Sequence, residues 1–319
     1  MTQKHIFGPV LSRRLGLSLG VDLVPFKVCS YDCAYCECGH TTEETLARRA
    51  FFPAEEVMAE LQTVLSSRPA LDSITFAGSG EPTLSLSLGP VIAAIKREFP
   101  EYTVSVLTNG SLLPDRAVQD ELLPADRVIP TLSSVSQKTF ERIHHPHPSL
   151  NIEKIVEGMI EFRKRYTGQL WLEVFIIPGL NTTDDELAGL KSAIARIGPD
   201  RIQLNTLDRP PADSWVTAAS NEELKRIREF LGRPGIEIAG LDSPVSPAVL
   251  ERTAAPELIY ATLCRRPSTL DDLIRTTGLP DTEVVKILGS FEQKGRVSAQ
   301  RRARGVFYVI IPEPPVRKG

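Results

Sequence analysis

Three cysteines occur within eight residues in Cys29-Ser-Tyr-Asp-Cys33-Ala-Tyr-Cys36, near the start of a 319-residue chain. Three thiolates so close in sequence can reach one metal centre, and soft thiolates favour zinc, Cu(I) or iron–sulfur clusters over magnesium. A closed zinc site is one interpretation, with Cys38 or His40 as fourth ligand. Disulfides are disfavoured, because the five cysteines are an odd number and the first residues, MTQKHIFG, lack an apolar signal segment.

A first strand leads into the cysteines, and after them apolar strands alternate with amphipathic helices. This pattern is typical of parallel strands joined by helical crossovers. The predicted strands are 21–28, 73–77, 103–107, 128–132, 170–177 and 201–206, and the clearest predicted helices are 54–65, 88–98 and 184–197. Six such units are fewer than the eight of a closed TIM barrel. The sequence therefore predicts an α/β fold with a partial (β/α)6 TIM-type barrel.

Polar, glycine-bearing turns follow two of these strands. The turn after the second strand is Gly78-Ser-Gly-Glu-Pro-Thr83, and the third strand runs into Thr108-Asn109-Gly110. Ligands of parallel α/β folds bind at the carboxyl ends of the strands, so these turns and the cysteines are expected at one edge. A plain tight connection is the alternative interpretation for each turn.

The spacing C-x3-C-x2-C, with an aromatic residue before the last cysteine, resembles the cluster loop of the radical S-adenosylmethionine (SAM) superfamily. The resemblance implies that Cys29, Cys33 and Cys36 hold a [4Fe–4S] cluster whose open iron binds SAM. It also implies reductive cleavage of SAM to a 5′-deoxyadenosyl radical, which abstracts a substrate hydrogen, and a flavodoxin- or ferredoxin-like electron donor. No catalytic residue is assigned for the substrate step.

The same resemblance suggests which strand-end residues contact SAM. The stretch Gly80-Glu81-Pro82 resembles the superfamily's "GGEP", whose backbone and acidic side chain hold the amino group of SAM, although Ser79 replaces the first glycine of the pair. Thr108 and Asn109 resemble the "TNG" stretch after the third strand. They are therefore predicted to contact the ribose or the carboxylate of SAM.

Further predicted SAM contacts lie at other strand ends. Ser133 follows the fourth strand, where related proteins often carry an acidic residue. Ile177 and Asn181 match "I-P-G-x-N", which packs beside the adenine, and Tyr35 is expected against the same ring. Asn205 alternates with apolar neighbours in the sixth strand and is expected in the barrel interior. Core packing is the alternative interpretation for Tyr35 and Ile177.

Residues 5–215 more closely resemble the radical SAM oxidoreductases that are similar to the wybutosine tRNA-modification enzyme. The resemblance rests on the segment 7–27, on Arg209-Pro-Pro and on His144-His-Pro-His147. Arg13, Arg14 and Arg209 become candidate contacts to a substrate or polyanion, with solvated surface charge as the alternative. The interrupted histidines are expected in a connection, substrate-facing or exposed, rather than on a metal.

The composition changes near residue 245, which predicts a second domain. The expected organisation is a barrel over 1–242, a linker over 243–250, a winged helix-turn-helix over 251–312 and a frayed tail over 313–319. Residues 251–319 carry 12 Lys and Arg against 8 Asp and Glu. The basic hairpin makes Arg301, Arg302 and Arg304 candidate polyanion contacts, whereas docking of a protein or peptide is the alternative.

The leading hypothesis is a cytoplasmic radical SAM enzyme that acts on tRNA or another macromolecule. The net charge is −3, and no apolar stretch approaches the ~20 residues that span a bilayer. The alternatives are a radical SAM enzyme acting on a peptide gripped by the winged helix, and a metal- or cluster-dependent DNA-binding regulator. The strand-end residues that match SAM contacts speak against the regulator, which would not need them.

Overall fold

A computed structural model describes residues 5–242, 255–265, 267–302 and 305–311. The chain divides into two compact units, Met1–Pro244 and Val245–Gly319. The predicted linker 243–250 and tail 313–319 lie outside the described residues. None of the helices within the described ranges has the length and apolar character needed to cross a membrane.

The first unit contains one eight-stranded sheet with the order β1-β2-β5-β6-β7-β8-β9-β10. Strand β1 is antiparallel to β2, and the neighbours from β2 to β10 are parallel. Strands β3 and β4 form a separate parallel pair. The strands are β1 (Ile6–Ser12), β2 (Gly16–Val21), β3 (Val28–Cys29), β4 (Glu43–Glu44), β5 (Ser73–Phe76), β6 (Val104–Thr108), β7 (Arg127–Pro130), β8 (Gln169–Phe175), β9 (Arg201–Asn205) and β10 (Ile236–Ile238).

Helices alternate with the parallel strands, and most of them pack against the next helix along the chain. They are α1 (Ala54–Leu65), α2 (Leu88–Glu98), α3 (Arg116–Leu122), α4 (Gln137–His144), α5 (Ile152–Arg165), α6 (Asp184–Ile197) and α7 (Asn221–Leu231). Side chains of Ser136, Asn151, Thr183 and Ser220 accept backbone N–H bonds at the starts of α4 to α7. Such caps fix where a helix begins.

Successive residues of the central strands point alternately towards the helices and towards the opposite face of the sheet. In β8, Leu170, Leu172 and Val174 join the main core with the helices, while Glu173 lies on the opposite face. In β9 the buried Gln203 alternates in the same way with its apolar neighbours. The face away from the helices, which also carries Trp171 and Phe175, is therefore the interior of an open barrel.

The α/β class and the partial barrel are confirmed, with two corrections at the edges. The predicted strand 21–28 is wrong: β2 ends at Val21, and Lys27 adopts a left-handed backbone with φ of 60° just before β3. Pro25 and this turn interrupt a segment that is mostly apolar. The sheet also has the antiparallel β1 and the short parallel β10, which the six-unit prediction lacks.

The second unit has its own core and a three-stranded antiparallel sheet of order β11-β13-β12. Its elements are α8 (Ala255–Arg265), β11 (Ser268–Thr269), α9 (Leu270–Thr277), α10 (Asp281–Gln293), β12 (Val297–Arg302) and β13 (Gly305–Ile310). Thr269 and Asp272 form a capping box at the start of α9. The described residues of this unit thus form three helices and one hairpin, β12–β13. Arg301 is exposed on β12, and Arg304 lies outside the described residues.

Candidate active site

The cysteine loop begins at the end of β3 and is anchored on two sides. The backbone N–H groups of Asp32 and Ala34 donate to the carbonyls of His144 (3.1 Å) and Ile143 (3.0 Å) at the end of α4. On the other side, the N–H of Asp213 donates to the carbonyl of Ala34 at 2.9 Å. The end of α4 and the segment after β9 therefore fix the backbone between the cysteines.

Cys29, Cys33 and Cys36 are free, half-buried thiols with different acidities. Burial raises the pKa of Cys29 to about 12 and also raises that of Cys33. A hydrogen bond from Cys38, followed in effect by the charge of Lys27, lowers the pKa of Cys36 to about 6. Cys36 is therefore the first of the three to ionise.

Three thiols on one loop form a donor set that fits a [4Fe–4S] cluster. No group of three or more His, Cys, Asp or Glu side chains in the described part of the chain is arranged to hold a metal ion. An iron–sulfur cluster needs a different arrangement from a single metal ion, because each cysteine binds a different iron and the sulfurs need not converge on one point. Cys38 and His40, the proposed fourth zinc ligands, contact Cys36 and Asp32 respectively.

Glu81 connects the ends of β5 and β6. Its Oε1 accepts hydrogen bonds from the N–H and hydroxyl of Thr83 (3.0 and 2.6 Å) and from the hydroxyl of Thr108 (2.7 Å). Its Oε2 accepts from the N–H of Asn109 at 2.7 Å. Burial raises the pKa of Glu81, and these hydrogen bonds oppose the rise. The carboxylate therefore clamps two of the predicted SAM-binding turns together.

Two glycines in the turn after β5 allow close approach to neighbouring chain. A Cβ on Gly80 would lie 1.9 Å from the carbonyl oxygen of Val28, immediately before the cysteines. A Cβ on Gly78 would lie 2.2 Å from the carboxyl carbon of Asp22. Ser79, which stands where the superfamily pattern has glycine, donates its N–H and hydroxyl to Asp22 at 3.1 and 3.0 Å. Pro82 is buried and begins a short 3-10 turn.

Asn109 connects the end of β6 to the cysteine loop. Its Nδ2 donates to the hydroxyl of Ser30 at 2.8 Å and lies 3.6 Å from the Sγ of Cys29. Its Oδ1 accepts from the N–H of Ser111 at 2.9 Å. The structure thus brings the predicted contacts Glu81, Thr108 and Asn109 together with the first cysteine.

Tyr35 and Ile177 lie in a small apolar cluster beside the cysteine loop. The ring of Tyr35 stacks on Phe175 at the end of β8, with centroids 3.8 Å apart and planes 12° from parallel. Ile177 is fully buried in the same cluster. The end of β8 therefore packs directly against the residue that precedes Cys36.

Ser133 and Asn181 hold strand ends through backbone contacts. The Nδ2 of Asn181 donates to the carbonyls of Ser133 and Phe175, each at 2.7 Å, and its Oδ1 accepts from the N–H of Ile177 at 2.8 Å. The hydroxyl of Ser133 accepts from the N–H of Phe175 at 3.2 Å. Both donor hydrogens of the Asn181 amide are used in this way, which makes Asn181 a positioning residue.

A polar network inside the barrel includes Asn205. Its Nδ2 donates to Glu173 at 2.8 Å, and Glu173 also pairs with Arg14 at 2.6 Å and accepts from the hydroxyl of Thr131 at 2.9 Å. Burial tends to raise the pKa of Glu173, but Arg14 and these hydrogen bonds hold it below its usual value. Asn205 and Arg14 thus share one half-buried carboxylate.

Arg13 and Arg209 also have acidic partners. Arg209 is almost fully buried and pairs with Glu37 in the cysteine loop at 3.0 Å and with Asp208 at 3.6 Å. Arg13 pairs with Asp208 at 3.2 Å. These arginines, predicted as polyanion contacts, therefore form ion pairs that connect the β1–β2 turn to the cysteine loop.

The histidine prediction is wrong for His144. It is the last residue of α4 and is buried, and burial lowers its pKa to about 3. Its neighbour His145 is exposed. Two further site residues were not predicted from the sequence: Lys27, which contacts Cys36, and Glu37 in the cysteine loop, which pairs with Arg209. Their closeness to Cys29 and Cys36 in sequence was the available signal.

The fold and the site define an iron–sulfur enzyme built on a partial barrel, with its cysteine loop at the carboxyl ends of parallel strands. Residues 23–191 match the family model of the radical SAM superfamily, and the chain belongs to this superfamily. Members use a [4Fe–4S] cluster and SAM. The expectations of a radical SAM enzyme and of these cofactors are thereby confirmed, which sets aside the zinc site and the regulator.

Several relatives share most of the chain. A UPF0026 protein of Methanocaldococcus jannaschii is 34% identical over 240 residues, which are 73% of this chain and 74% of that protein. A UPF0026 protein of Helicobacter pylori is 36% identical over 222 residues, 69% of this chain and 71% of that protein. A Brachyspira hyodysenteriae protein named GTPase Obg is 36% identical over 298 residues, 92% of this chain. The chain spans only 43% of that relative.

Solved structures share the fold. A radical SAM methyltransferase from Sphaerobacter thermophilus superposes with a TM-score of 0.53 at 18% identity, covering 69% of this chain and 66% of that one. TYW1 with a lysine–pyruvate adduct gives a TM-score of 0.50 at 16% identity, covering 70% and 75%. At such identities the likeness establishes the architecture alone.

Proposed function

We propose that this chain cleaves SAM reductively at a cluster held by Cys29, Cys33 and Cys36 and uses the radical to abstract hydrogen from a nucleic acid, with tRNA favoured. When bound, the reduced cluster supplies the electron that splits SAM into methionine and a 5′-deoxyadenosyl radical. The observation that carries the proposal is the hydrogen-bonded unit that joins Glu81, Asn109 and the cysteine loop. It brings predicted SAM contacts to the predicted cluster ligands.

The residues around this unit suggest how SAM is held. Oε2 of Glu81 accepts one hydrogen bond within the described chain, which leaves it able to accept another from the ammonium of SAM. The stacked pair of Tyr35 and Phe175 offers an aromatic surface for the adenine. Asn181 fixes the backbone near Ile177, so its part is to shape this surface rather than to bind SAM directly.

The second unit supports a macromolecular substrate. We propose that its three helices and hairpin form a winged helix, because the sheet order β11-β13-β12 places the hairpin beside the strand that precedes α9. Arg301 is exposed on that hairpin. A basic hairpin attracts phosphates. The resemblance of residues 5–215 to wybutosine-type enzymes favours tRNA among polyanions.

The proposal extends to the protein's surroundings. An electron donor of the flavodoxin or ferredoxin type would supply the electron that SAM cleavage consumes. The cytoplasm is the proposed location, because free thiols persist in a reducing compartment.

Anaerobic reconstitution with iron and sulfide, followed by reduction in the presence of SAM, tests the proposal. Mass spectrometry should detect 5′-deoxyadenosine from wild type and not from the C29A/C33A/C36A variant. Cys264 is exposed in the second unit, so the matched control C264A should retain both cluster and product. Absence of a cluster, or of SAM cleavage, in wild type would overturn the proposal.

A further inference from the structure

Each predicted cluster ligand lies next to a nitrogen from a different part of the chain. Lys27 Nζ is 3.1 Å from the Sγ of Cys36, and His144 Nδ1 is 3.3 Å from the Sγ of Cys33. We propose that Lys27 and His144, with Asn109 near Cys29, donate N–H···S hydrogen bonds to the cluster thiolates and raise the reduction potential of the cluster. This inference rests on the proposed function, since it concerns the same cluster.

Lys27 is the most informative of these donors. Its side chain is only 2% exposed, although lysine is rarely buried without a partner. Its ammonium contacts the thiol of Cys36, and the charged groups that act on it are Cys36, Cys29 and Cys38. A buried charge requires compensation, and a thiolate bound to an anionic cluster supplies it.

The backbone of Lys27 points to the same conclusion. Its φ of 60° lies in the left-handed region, which costs a residue with a side chain free energy and tends to persist at functional sites. Its carbonyl accepts hydrogen bonds from the N–H groups of Thr42 and Glu43 at 3.0 and 3.2 Å. Residues on the far side of the cysteine loop thus hold the conformation that directs the ammonium to Cys36.

His144 provides an uncharged donor on another side of the loop. Its ring lies among those of Tyr31, Tyr35 and Phe140, with centroids 5.1 to 5.6 Å away. Those aromatic neighbours fix the ring, and the nitrogen that faces Cys33 is Nδ1. The tautomer that carries its hydrogen on Nδ1 donates to the thiolate.

All of these contacts are expected to raise the reduction potential of the cluster. Reduction adds a negative charge, so a nearby ammonium and N–H donors stabilise the reduced form more than the oxidised form. Donors to cluster sulfurs are among the groups that set the potential of iron–sulfur centres. Lys27, which carries a full charge, should have a larger effect than the neutral His144.

An EPR-monitored redox titration of the reconstituted full-length protein, without SAM, tests the inference. K27M removes the charge and keeps the length of the side chain, K27R keeps the charge, and H144F keeps the aromatic packing. The exposed Lys191 supplies the control K191M. At the potential that half-reduces wild type, K27M should lower the ratio of reduced to oxidised cluster at least tenfold, equivalent to about 59 mV.

We expect H144F to lower that ratio by a smaller factor, above twofold, and K27R and K191M to stay within twofold of wild type. Wild-type ratios in both K27M and H144F, with clusters intact, would overturn the inference. Loss of the cluster from both variants would also overturn it. The same holds if K27M loses the cluster while H144F keeps the wild-type ratio, because these residues would then serve cluster assembly. A wild type without a [4Fe–4S] spectrum would instead contradict the proposed function.

Discussion

Gly80 illustrates how a single residue can position the site. The G80A substitution adds a Cβ within 1.9 Å of the Val28 carbonyl, so the backbone leading to Cys29 must move. We expect the free energy of unfolding to fall by about 1–3 kcal/mol, as for other overpacked sites, and iron content to fall with it. Urea denaturation and iron analysis of the reconstituted protein measure both effects.

A glycine with open space supplies the control for this prediction. Gly289 lies within α10, and a Cβ there meets nothing within 4 Å. Alanine is favoured over glycine inside helices by about 1 kcal/mol, so G289A should be neutral or stabilising. Equal stability and iron content in G80A and wild type would show that the turn after β5 can move without affecting the cysteines.

Arg14 and Glu173 form an ion pair in which the effect of charge can be distinguished from the effect of packing by changing the pH. R14M leaves the half-buried carboxylate of Glu173 without its cation, and we expect a loss of about 1–3 kcal/mol in the free energy of unfolding at pH 7. R14M/E173Q, which removes the charge as well, should recover a large part of that loss. Urea denaturation of the three proteins measures these differences.

The pH dependence follows from the lowered pKa of Glu173. In wild type, its contribution to stability is present above the unfolded carboxyl pKa and is lost as pH falls through the lower folded value. Without Arg14, burial raises the pKa of Glu173 in the folded protein. Protonation of Glu173 at lower pH then removes the unpaired charge and stabilises the R14M variant. The stability gap between wild type and R14M should therefore narrow from pH 7 towards pH 4; a gap that widens would contradict this account.

Between elements, Glu81 holds the ends of β5 and β6 in register. In E81Q the amide nitrogen cannot accept a hydrogen bond, so at least one buried donor, such as the N–H of Asn109, loses its acceptor. The expected cost is about 1–3 kcal/mol in unfolding free energy, with SAM affinity about tenfold weaker. T83V removes one hydroxyl donor and should have the smaller effect on both; calorimetric SAM titration and urea denaturation provide the comparison.

The sequence predicts a helix well where the pattern that defines it lies within one continuous segment. Helices α1, α2 and α6 match the predicted bounds, because their apolar positions recur at helical spacing. The strand 21–28 failed, since its apolar run conceals the left-handed turn at Lys27. The strand-end turns were recognisable from motif. The contacts of His144 with Cys33 and of Arg14 with Glu173 could not be predicted from the sequence, because each contact joins residues more than 100 positions apart.

Across the whole molecule, charge is distributed unequally. Residues 251–319 carry an excess of four basic residues, whereas the chain as a whole carries 37 basic and 40 acidic residues. In the first unit the arginines near the site are paired with Asp208, Glu37 and Glu173. Capture of a polyanion is therefore expected to depend on the hairpin of the second unit rather than on those arginines.

Binding of unmodified tRNA, followed by fluorescence anisotropy at several salt concentrations, tests this expectation. Affinity should fall steeply with salt, because phosphate contacts release counterions. R301A should weaken binding at every salt concentration and reduce the slope of the logarithmic plot by about one. The exposed Arg116 of the first unit supplies the control R116A, which should match wild type. Salt-independent binding would instead favour a peptide or protein as the partner of the second unit, and an R301A variant that binds tRNA as wild type does would show that Arg301 is not a phosphate contact.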